Sequence, residues 1–145
     1  MLTLNKLKEQ LIQFFTAHKQ INDVKYCDDF DFAADRNLNF PVCNIEYMNS
    51  NIANRSINHI FKIVLGDLMN DNVEGIEDEI YSDMLLVAED FFAWLGNHND
   101  FSFNKTSSIN KFVDDKGDRV AGIVFTVTLA VIRTQNICLI PTDND

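Results

Sequence analysis

The sequence predicts an α+β domain in which an antiparallel sheet carries helices on one face. Two segments place apolar residues at spacings of three and four, as amphipathic helices do, and four segments have the alternation or β-branched content of strands. In chain order they give α-β-β-α-β-β. The chain has 145 residues, 46% of them hydrophobic. That is enough for one core and short for two, so we expect a single domain over residues 1–145.

The first predicted helix spans residues 3–19. Its apolar side chains form one stripe, at offsets of three and four: Leu4, Leu7, Leu11, Phe14, Phe15 and His18. Thr3 has a side chain that can cap the N-terminus, and the polar run 19–23 is expected to end the helix. Because the opposite face is polar, we expect this helix to lie on a sheet.

Residues 24–39 are the least regular part of the sequence. Residues 24–27 could be a short strand, and four carboxylates follow within eight residues: Asp28, Asp29, Asp31 and Asp35. These carboxylates could bind a cation, or they could lie in a solvated turn above Phe30 and Phe32. An EF-hand loop requires a central glycine that is missing here, so we expect no metal site. The segment 24–39 could form an extended arm or a loop.

Two strands are expected between residues 40 and 68. The first, 40–47, starts at Pro41, a position that a strand allows. The second, 57–68, alternates strongly and has His59 among the apolar residues of one side. His59 could be a ligand or a base, but no acid or cysteine lies at a matching strand offset. We therefore interpret it as a structural histidine.

The second predicted helix, residues 76–96, has the clearest periodicity in the chain. Its apolar side chains are Ile76, Ile80, Met84, Val87, Phe91 and Leu95, with Tyr81, Leu85, Ala88 and Phe92 beside them. Since this stripe is broad, the helix should be buried on more than one side. The first turn carries three acids that complement the helix dipole, and Gly96 ends the helix. Trp94 lies beside the stripe and is a candidate interface anchor.

The C-terminal third is expected to form two strands joined by a charged hairpin turn. Residues 101–112 alternate with only a partly apolar face, which is typical of an edge strand. Residues 120–133 have the strongest strand pattern of the chain, with apolar residues at every odd position from 123 to 131. The turn between them contains Gly117, Asp114, Asp115 and Asp118, a composition typical of a solvated loop.

Charge and composition argue against several classes of protein. The formal net charge is −10, whereas affinity for duplex DNA comes mainly from Lys and Arg. No stretch approaches the roughly 18 uncharged apolar residues of a membrane helix, and Lys6 and Lys8 interrupt the start too early for a secretory signal. Three cysteines lie far apart, which indicates reduced thiols in a cytosolic setting: Cys27, Cys43 and Cys138.

The sequence contains no pattern that predicts catalysis. A nucleophile needs a base within reach, and the base needs an orienting group. The histidines lie in unrelated contexts, and the P-loop, dinucleotide, nucleophile-elbow and zinc-protease motifs are all missing. We therefore expect no enzyme activity and no catalytic, cofactor-binding or metal-binding residues.

The C-terminal segment resembles a known family. An acidic turn leads through Asp118-Arg119-Val120-Ala121-Gly122 into a long strand, and the chain ends with Ile137-Cys138-Leu139-Ile140-Pro141. This combination is similar to the tail-terminator and tail-completion proteins of tailed bacteriophages, whose element order is also similar. The acidic, Asn-rich style is similar to neck ring proteins of crAss-like phages. By residue the resemblance covers about 118–141, and the segment 24–39 matches no pattern of the family.

The resemblance implies a virion structural protein that forms a ring between portal and tail and assembles in the bacterial cytoplasm. Copies in a ring meet through two different surfaces that close by rotation, and six or twelve copies both fit. An acidic lumen would let DNA pass without specific binding. The candidate interface residues are Trp94, Arg119 and two acidic groups that would face the channel or a neighbouring ring: Asp28, Asp29 and Asp31, and Asp114, Asp115 and Asp118.

Two other functions remain open. The chain could be a small acidic phage-encoded module that binds a host protein and mimics nucleic acid. It could also be a small enzyme whose site the sequence does not reveal. A ring-sized assembly favours the structural protein, a monomer or dimer favours the binding module, and a perturbed titratable residue in a deep pocket favours the enzyme.

Overall fold

The computed structural model describes residues 2–28, 39–69, 75–103, 108–114, 119–133 and 141. These residues contain two helices and six strands, so the predicted α+β class is confirmed. The elements in chain order are α1 (Leu4–Ala17), β1 (Asp23–Tyr26), β2 (Val42–Ile52), β3 (Ser56–Leu68), α2 (Ile76–Gly96), β4 (Ser102–Phe103), β5 (Asn110–Asp114) and β6 (Val120–Ile132).

The six strands form one mixed sheet with the order β1-β2-β3-β6-β4, in which β5 also pairs with β6. The prediction of a purely antiparallel sheet is wrong at one pair, because β1 runs parallel to β2. Parallel neighbours need a connection of roughly a dozen residues or more, and residues 27–41 supply that length. The short strand expected at 24–27 is present as β1, whereas residues 29–38 of the expected arm lie outside the described residues.

The predicted strand 101–112 is divided into β4 and β5, which both pair with β6. Six residues separate Phe103 from Asn110, whereas four separate their partners Leu129 and Val124. The registers of β4 and β5 against β6 therefore differ by two residues, and residues 104–107 lie outside the described residues. Over the described residues the order is therefore α-β-β-β-α-β-β-β, which differs from the predicted α-β-β-α-β-β by the additional strands β1 and β4.

Both helices pack on the same face of the sheet. The long antiparallel pair β3–β6 alternates, and its helix-facing side chains are buried: Phe61, Ile63 and Leu65 opposite Val127, Phe125 and Ile123. The helices add Leu7, Leu11, Phe15, Ile80, Met84, Val87, Phe91 and Leu95 to the same core. Burying such a side chain contributes about 1.5–3 kcal/mol, so this layer holds the helices in place.

The ends of the helices follow local signals in the sequence. Thr3 caps α1, since its Oγ1 accepts a hydrogen bond of 3.2 Å from the Lys6 backbone N–H. The start of α2 follows Gly75, which has a φ of 77°. Glycine adopts this left-handed conformation without steric penalty. The acids of the first turn of α2 then lie where the helix dipole favours negative charge.

Candidate functional site

An open cleft lies between α1 and the C-terminal end of α2. Its volume is about 590 Å³, and its lining includes Gln10, Gln13, Phe14, Ala17, His18, Trp94, His98 and Asp100. The α1 residues share one side of the helix because they follow at spacings of three and four. Across the cleft the Phe14 ring stacks on the Trp94 ring, with centroids 5.0 Å apart.

The first polar feature of the cleft is the pair His18 and Asp90, which joins the end of α1 to α2. His18 Nε2 lies 2.8 Å from Asp90 Oδ2, and the Gln20 backbone N–H donates to His18 Nδ1 over 3.2 Å. Because that backbone N–H can only donate, Nδ1 must accept. The hydrogen of a neutral His18 ring is therefore on Nε2, where it is donated to Asp90.

The second polar feature is His98, which extends the aromatic wall. Its ring stacks on Phe101, with centroids 4.5 Å apart, and meets the Trp94 ring edge-on at 5.1 Å. These rings therefore stack on one another and form an aromatic wall of the cleft, which Gln10 and Gln13 of α1 also line. The ionisable groups among its described lining residues are His18, His98 and Asp100.

A second group of polar side chains lies on the helix-facing side of the sheet. The Tyr47 hydroxyl is 2.6 Å from Ser50 Oγ, and Ser50 Oγ is 2.6 Å from His59 Nδ1. His59 is 3% exposed, and among the described residues its Nε2 has no hydrogen-bond partner. The described partners of His59 include no carboxylate that could orient the ring as a base. This favours the structural role predicted for it.

A β-bulge brings these three side chains together. Tyr47 pairs with Phe61 and Asn49 pairs with Ile60, so Met48 is an additional residue on β2. In a regular strand, residues three apart point to opposite faces. The bulge reverses this, so that Tyr47 and Ser50 lie on the same face and Ser50 is opposite His59. Sequence analysis missed the group because the predicted strand ended at Tyr47, whereas β2 continues to Ile52 and includes Ser50.

His59 makes the stability of the protein dependent on pH. Burial, followed by the positive charge of Arg133, lowers the pKa of His59 below its ordinary value of 6.5. The unfolded chain therefore takes up a proton near pH 6.5, whereas the folded chain keeps the ring neutral to lower pH. The contribution of His59 to stability is present above about pH 6.5 and is lost as pH falls from there toward the lowered pKa.

We expect the free energy of unfolding to fall more steeply between about pH 7.5 and 5.5 in the wild type than in His59→Gln. Urea denaturation at each pH measures both slopes. Ile57→Val on the same strand removes no titratable group and should keep the wild-type slope. Equal slopes for the wild type and His59→Gln would contradict a lowered pKa of His59 in the folded protein.

The structure does not bring the two acidic groups of candidate interface residues together. Asp28 is exposed after β1, at one edge of the sheet, and Asp114 ends β5 at the other edge, with three strands between. Asp29, Asp31, Asp115 and Asp118 lie outside the described residues. Asp114 pairs with Val120, which confirms a β5–β6 hairpin around the charged turn. Arg119 is exposed, and its carbonyl accepts from the Met69 N–H.

Trp94 is half-buried, and its ring lies against Phe14, Phe91 and His98. The predicted anchor therefore forms a wall of the cleft and contributes to the packing of α1 on α2. Its indole remains partly accessible from the cleft, so the predicted interface role stays a prediction.

The described cysteines are free thiols. Cys27 Sγ donates to Asn44 Oδ1 over 3.2 Å, and the Asn44 amide donates to the Cys27 carbonyl. Cys43 is buried, which raises the pKa of its thiol, and Cys138 lies outside the described residues. No group of three or more potential ligands for a metal is found in the described part of the chain.

Among the described residues, neither helix is long and apolar enough to cross a membrane. Comparison with known proteins gives no match: no protein-family model fits the chain, and no curated protein is similar to it.

Proposed function

We propose that the protein is a virion structural subunit of a tailed bacteriophage. In this proposal it forms a ring of six or twelve copies in the neck or tail, between the portal and the tail. The proposal is supported by the resemblance of residues 118–141 to tail-terminator and tail-completion proteins. It is compatible with the α+β fold of the described residues.

One structural observation carries the proposal: the sheet has two different open edges on opposite sides. β1 forms one edge, and β4 with β5 forms the other. No strand of the described residues pairs with the outer side of either edge. A ring of identical copies needs two unlike surfaces that meet in every contact, and a free sheet edge can pair with the edge of another chain.

The charge of the protein suits a channel through which DNA passes. The formal net charge is −10, so a ring of such copies repels phosphates and lets the genome move without specific binding. In this proposal the acidic groups near Asp28 and Asp114 lie toward the channel or a neighbouring ring. The other contacts of the ring are the portal and tail proteins above and below it.

Quantitative mass spectrometry of purified phage particles tests the proposal directly. We expect six or twelve copies of the chain per particle, assigned to the neck or tail by electron microscopy with an antibody against the chain. Absence of the chain from mature particles would contradict the proposal.

A second function is favoured by the composition of α2. This helix carries six acids and no Lys or Arg: Glu77, Asp78, Glu79, Asp83, Glu89 and Asp90. An acidic helix of this kind could bind a basic surface of a host protein. A chain that is monomeric and absent from particles, and that captures a nucleic-acid-binding host protein in a salt-sensitive complex, would favour this alternative.

A further inference from the structure

Two nitrogen atoms at one end of the sheet are buried and have no hydrogen-bond partner among the described residues. They are Nε2 of His59, near the start of β3, and Nε of Arg133, which directly follows β6. His59 is 3% exposed. A third such atom, Gln10 Oε1, is an acceptor on α1. Buried polar atoms are almost always hydrogen-bonded, so a buried atom without a partner in the protein points to a bound water, ion or ligand.

The register of the two central strands places both side chains on the helix-facing side of the sheet. His59 pairs with Leu129, and Arg133 follows Leu129 by four residues. The Arg133 backbone N–H donates to the Arg55 carbonyl over 2.8 Å, so the ladder continues to this residue. Because an even spacing keeps side chains on one face, Arg133 lies on the same face as the buried Leu129. The charge of Arg133 also lowers the pKa of His59, as expected of neighbouring groups.

The hydrogen bonds on the other side of the His59 ring indicate that Nε2 carries the ring hydrogen. Ser50 Oγ lies 2.6 Å from both the Tyr47 hydroxyl and His59 Nδ1. If Tyr47 donates to Ser50 and Ser50 donates to Nδ1, both hydroxyl hydrogens are used. The reverse direction leaves the Tyr47 hydrogen without an acceptor among the described residues. Since a guanidinium Nε always carries a hydrogen, both unpartnered nitrogens are donors and need an acceptor.

The charges at this end of the sheet favour a singly charged acceptor. Among the described residues, neither Arg133 nor the exposed Arg55 forms an ion pair, although acids outnumber basic residues by 22 to 12 in the chain. Asp100, two residues before β4, lies beside His98 instead. Burial disfavours the charged form of His59, so its ring adds no charge. One negative charge is therefore balanced by Arg133, whereas a second would be costly in a partly buried place.

We infer that His59 and Arg133 bind a small carboxylate, one oxygen of which accepts from His59 Nε2–H and the other from Arg133 Nε–H. A carboxylate has one negative charge and two acceptor oxygens, and its hydrogen bonds to a guanidinium are strengthened by charge. The ligand must be small, because the protein encloses the His59 ring, and it enters where Arg133 is half-buried at the end of the sheet. This site is independent of the proposed ring.

A titration with sodium acetate tests the site, with sodium chloride added to keep the ionic strength constant. Acetate at ten times its Kd should raise the ratio of folded to unfolded protein in urea about elevenfold, because it binds only the folded chain. The ¹⁵N resonances of the His59 ring, assigned with His59→Gln, should change and then saturate over the same concentrations. In chloride at about pH 7.5, where the ring is neutral, these resonances should show the hydrogen on Nε2.

Two arginine variants and one matched control show whether binding is specific. Arg133→Gln removes the charge and the Nε donor and should weaken acetate binding at least about tenfold. Arg133→Lys keeps the charge but lacks the planar donors, so it should also bind more weakly than the wild type and serves if Arg133→Gln does not fold. Lys19→Gln removes the same charge at an exposed position after α1 and should bind within about twofold of the wild type.

Three results would overturn the inference. They are a His59 ring hydrogen on Nδ1, a response to acetate that does not saturate, and an equal loss of binding in Arg133→Gln and Lys19→Gln. In the last two cases acetate is an adventitious ion only, attracted by the general charge of the protein. None of these results bears on the number of copies per particle, so the proposed function would stand or fall separately.

Discussion

Replacing Gly122 with alanine is expected to destabilise the protein by about 3 kcal/mol or more, because the added methyl group meets the backbone of the neighbouring strand. Gly122 pairs with Gly66 within the long β3–β6 ladder. A Cβ atom at position 122 would overlap the Leu65 carbonyl oxygen and lie 2.8 Å from the Gly66 Cα atom. Rotating a side chain cannot relieve a clash with backbone, so the two central strands would have to separate.

Two other glycines provide controls for this experiment. A Cβ at Gly66 meets the Val120 side chain at 3.0 Å, and one at Gly96 meets only Phe103 at 3.9 Å. Gly66→Ala should therefore cost about 1 kcal/mol, and Gly96→Ala, at the end of α2, should be neutral or slightly stabilising. Urea denaturation followed by circular dichroism gives all three values. A Gly122→Ala variant as stable as Gly96→Ala would contradict the close approach of β3 and β6.

The pairing of Gly66 with Gly122 also shows which feature of the sheet the sequence patterns do not predict. The alternation of 57–68 and 120–133 predicts both strands correctly, because burial on one face imposes a period of two. The register that places Gly66 opposite Gly122 depends on how two segments more than 50 residues apart meet. Neither segment contains that information in its own pattern.

The same limit explains the incorrect parts of the predicted fold. The parallel direction of β1 could not be predicted, because strand composition does not distinguish parallel from antiparallel edges. The bulge at Met48 and the different registers of β4 and β5 against β6 each shift the pairing by whole residues. Each helix forms within one continuous segment, so its periodicity does not depend on how strands pair. The two predicted helices are accordingly found within a few residues of their expected ends.

The candidate site was predictable only in part. Trp94 lies beside the apolar stripe of α2, as the spacing indicates, but Phe14, on which its ring stacks, comes from α1. His18 and Asp90 are 72 residues apart and meet because two helices pack side by side. Asp28 and Asp114 belong to the two acidic groups predicted as interface candidates, and the strand order places them at opposite edges of the sheet.

Replacing Phe91, whose ring joins α1, α2 and the sheet, is expected to have the second large effect on the stability of the protein. Phe91 is fully buried, and its ring centroid lies 4.9 Å from Phe15 of α1 and 6.1 Å from Phe125 of β6. Phe91→Ala removes the ring at the junction of α1, α2 and the sheet, and neither helix can close the space without losing contact with the strands. We therefore expect a loss of about 3–5 kcal/mol, the sum of lost burial and the cavity left behind.

A matched change on the solvent side of the same helix separates packing from helix propensity. Leu86→Ala alters a residue that is 52% exposed and should change stability by less than about 0.5 kcal/mol. The Phe91→Ala variant should also change the fluorescence of Trp94, whose ring lies 6.0 Å from that of Phe91. If Phe91→Ala unfolds at the same urea concentration as Leu86→Ala, α2 does not pack against both α1 and β6 through this side chain.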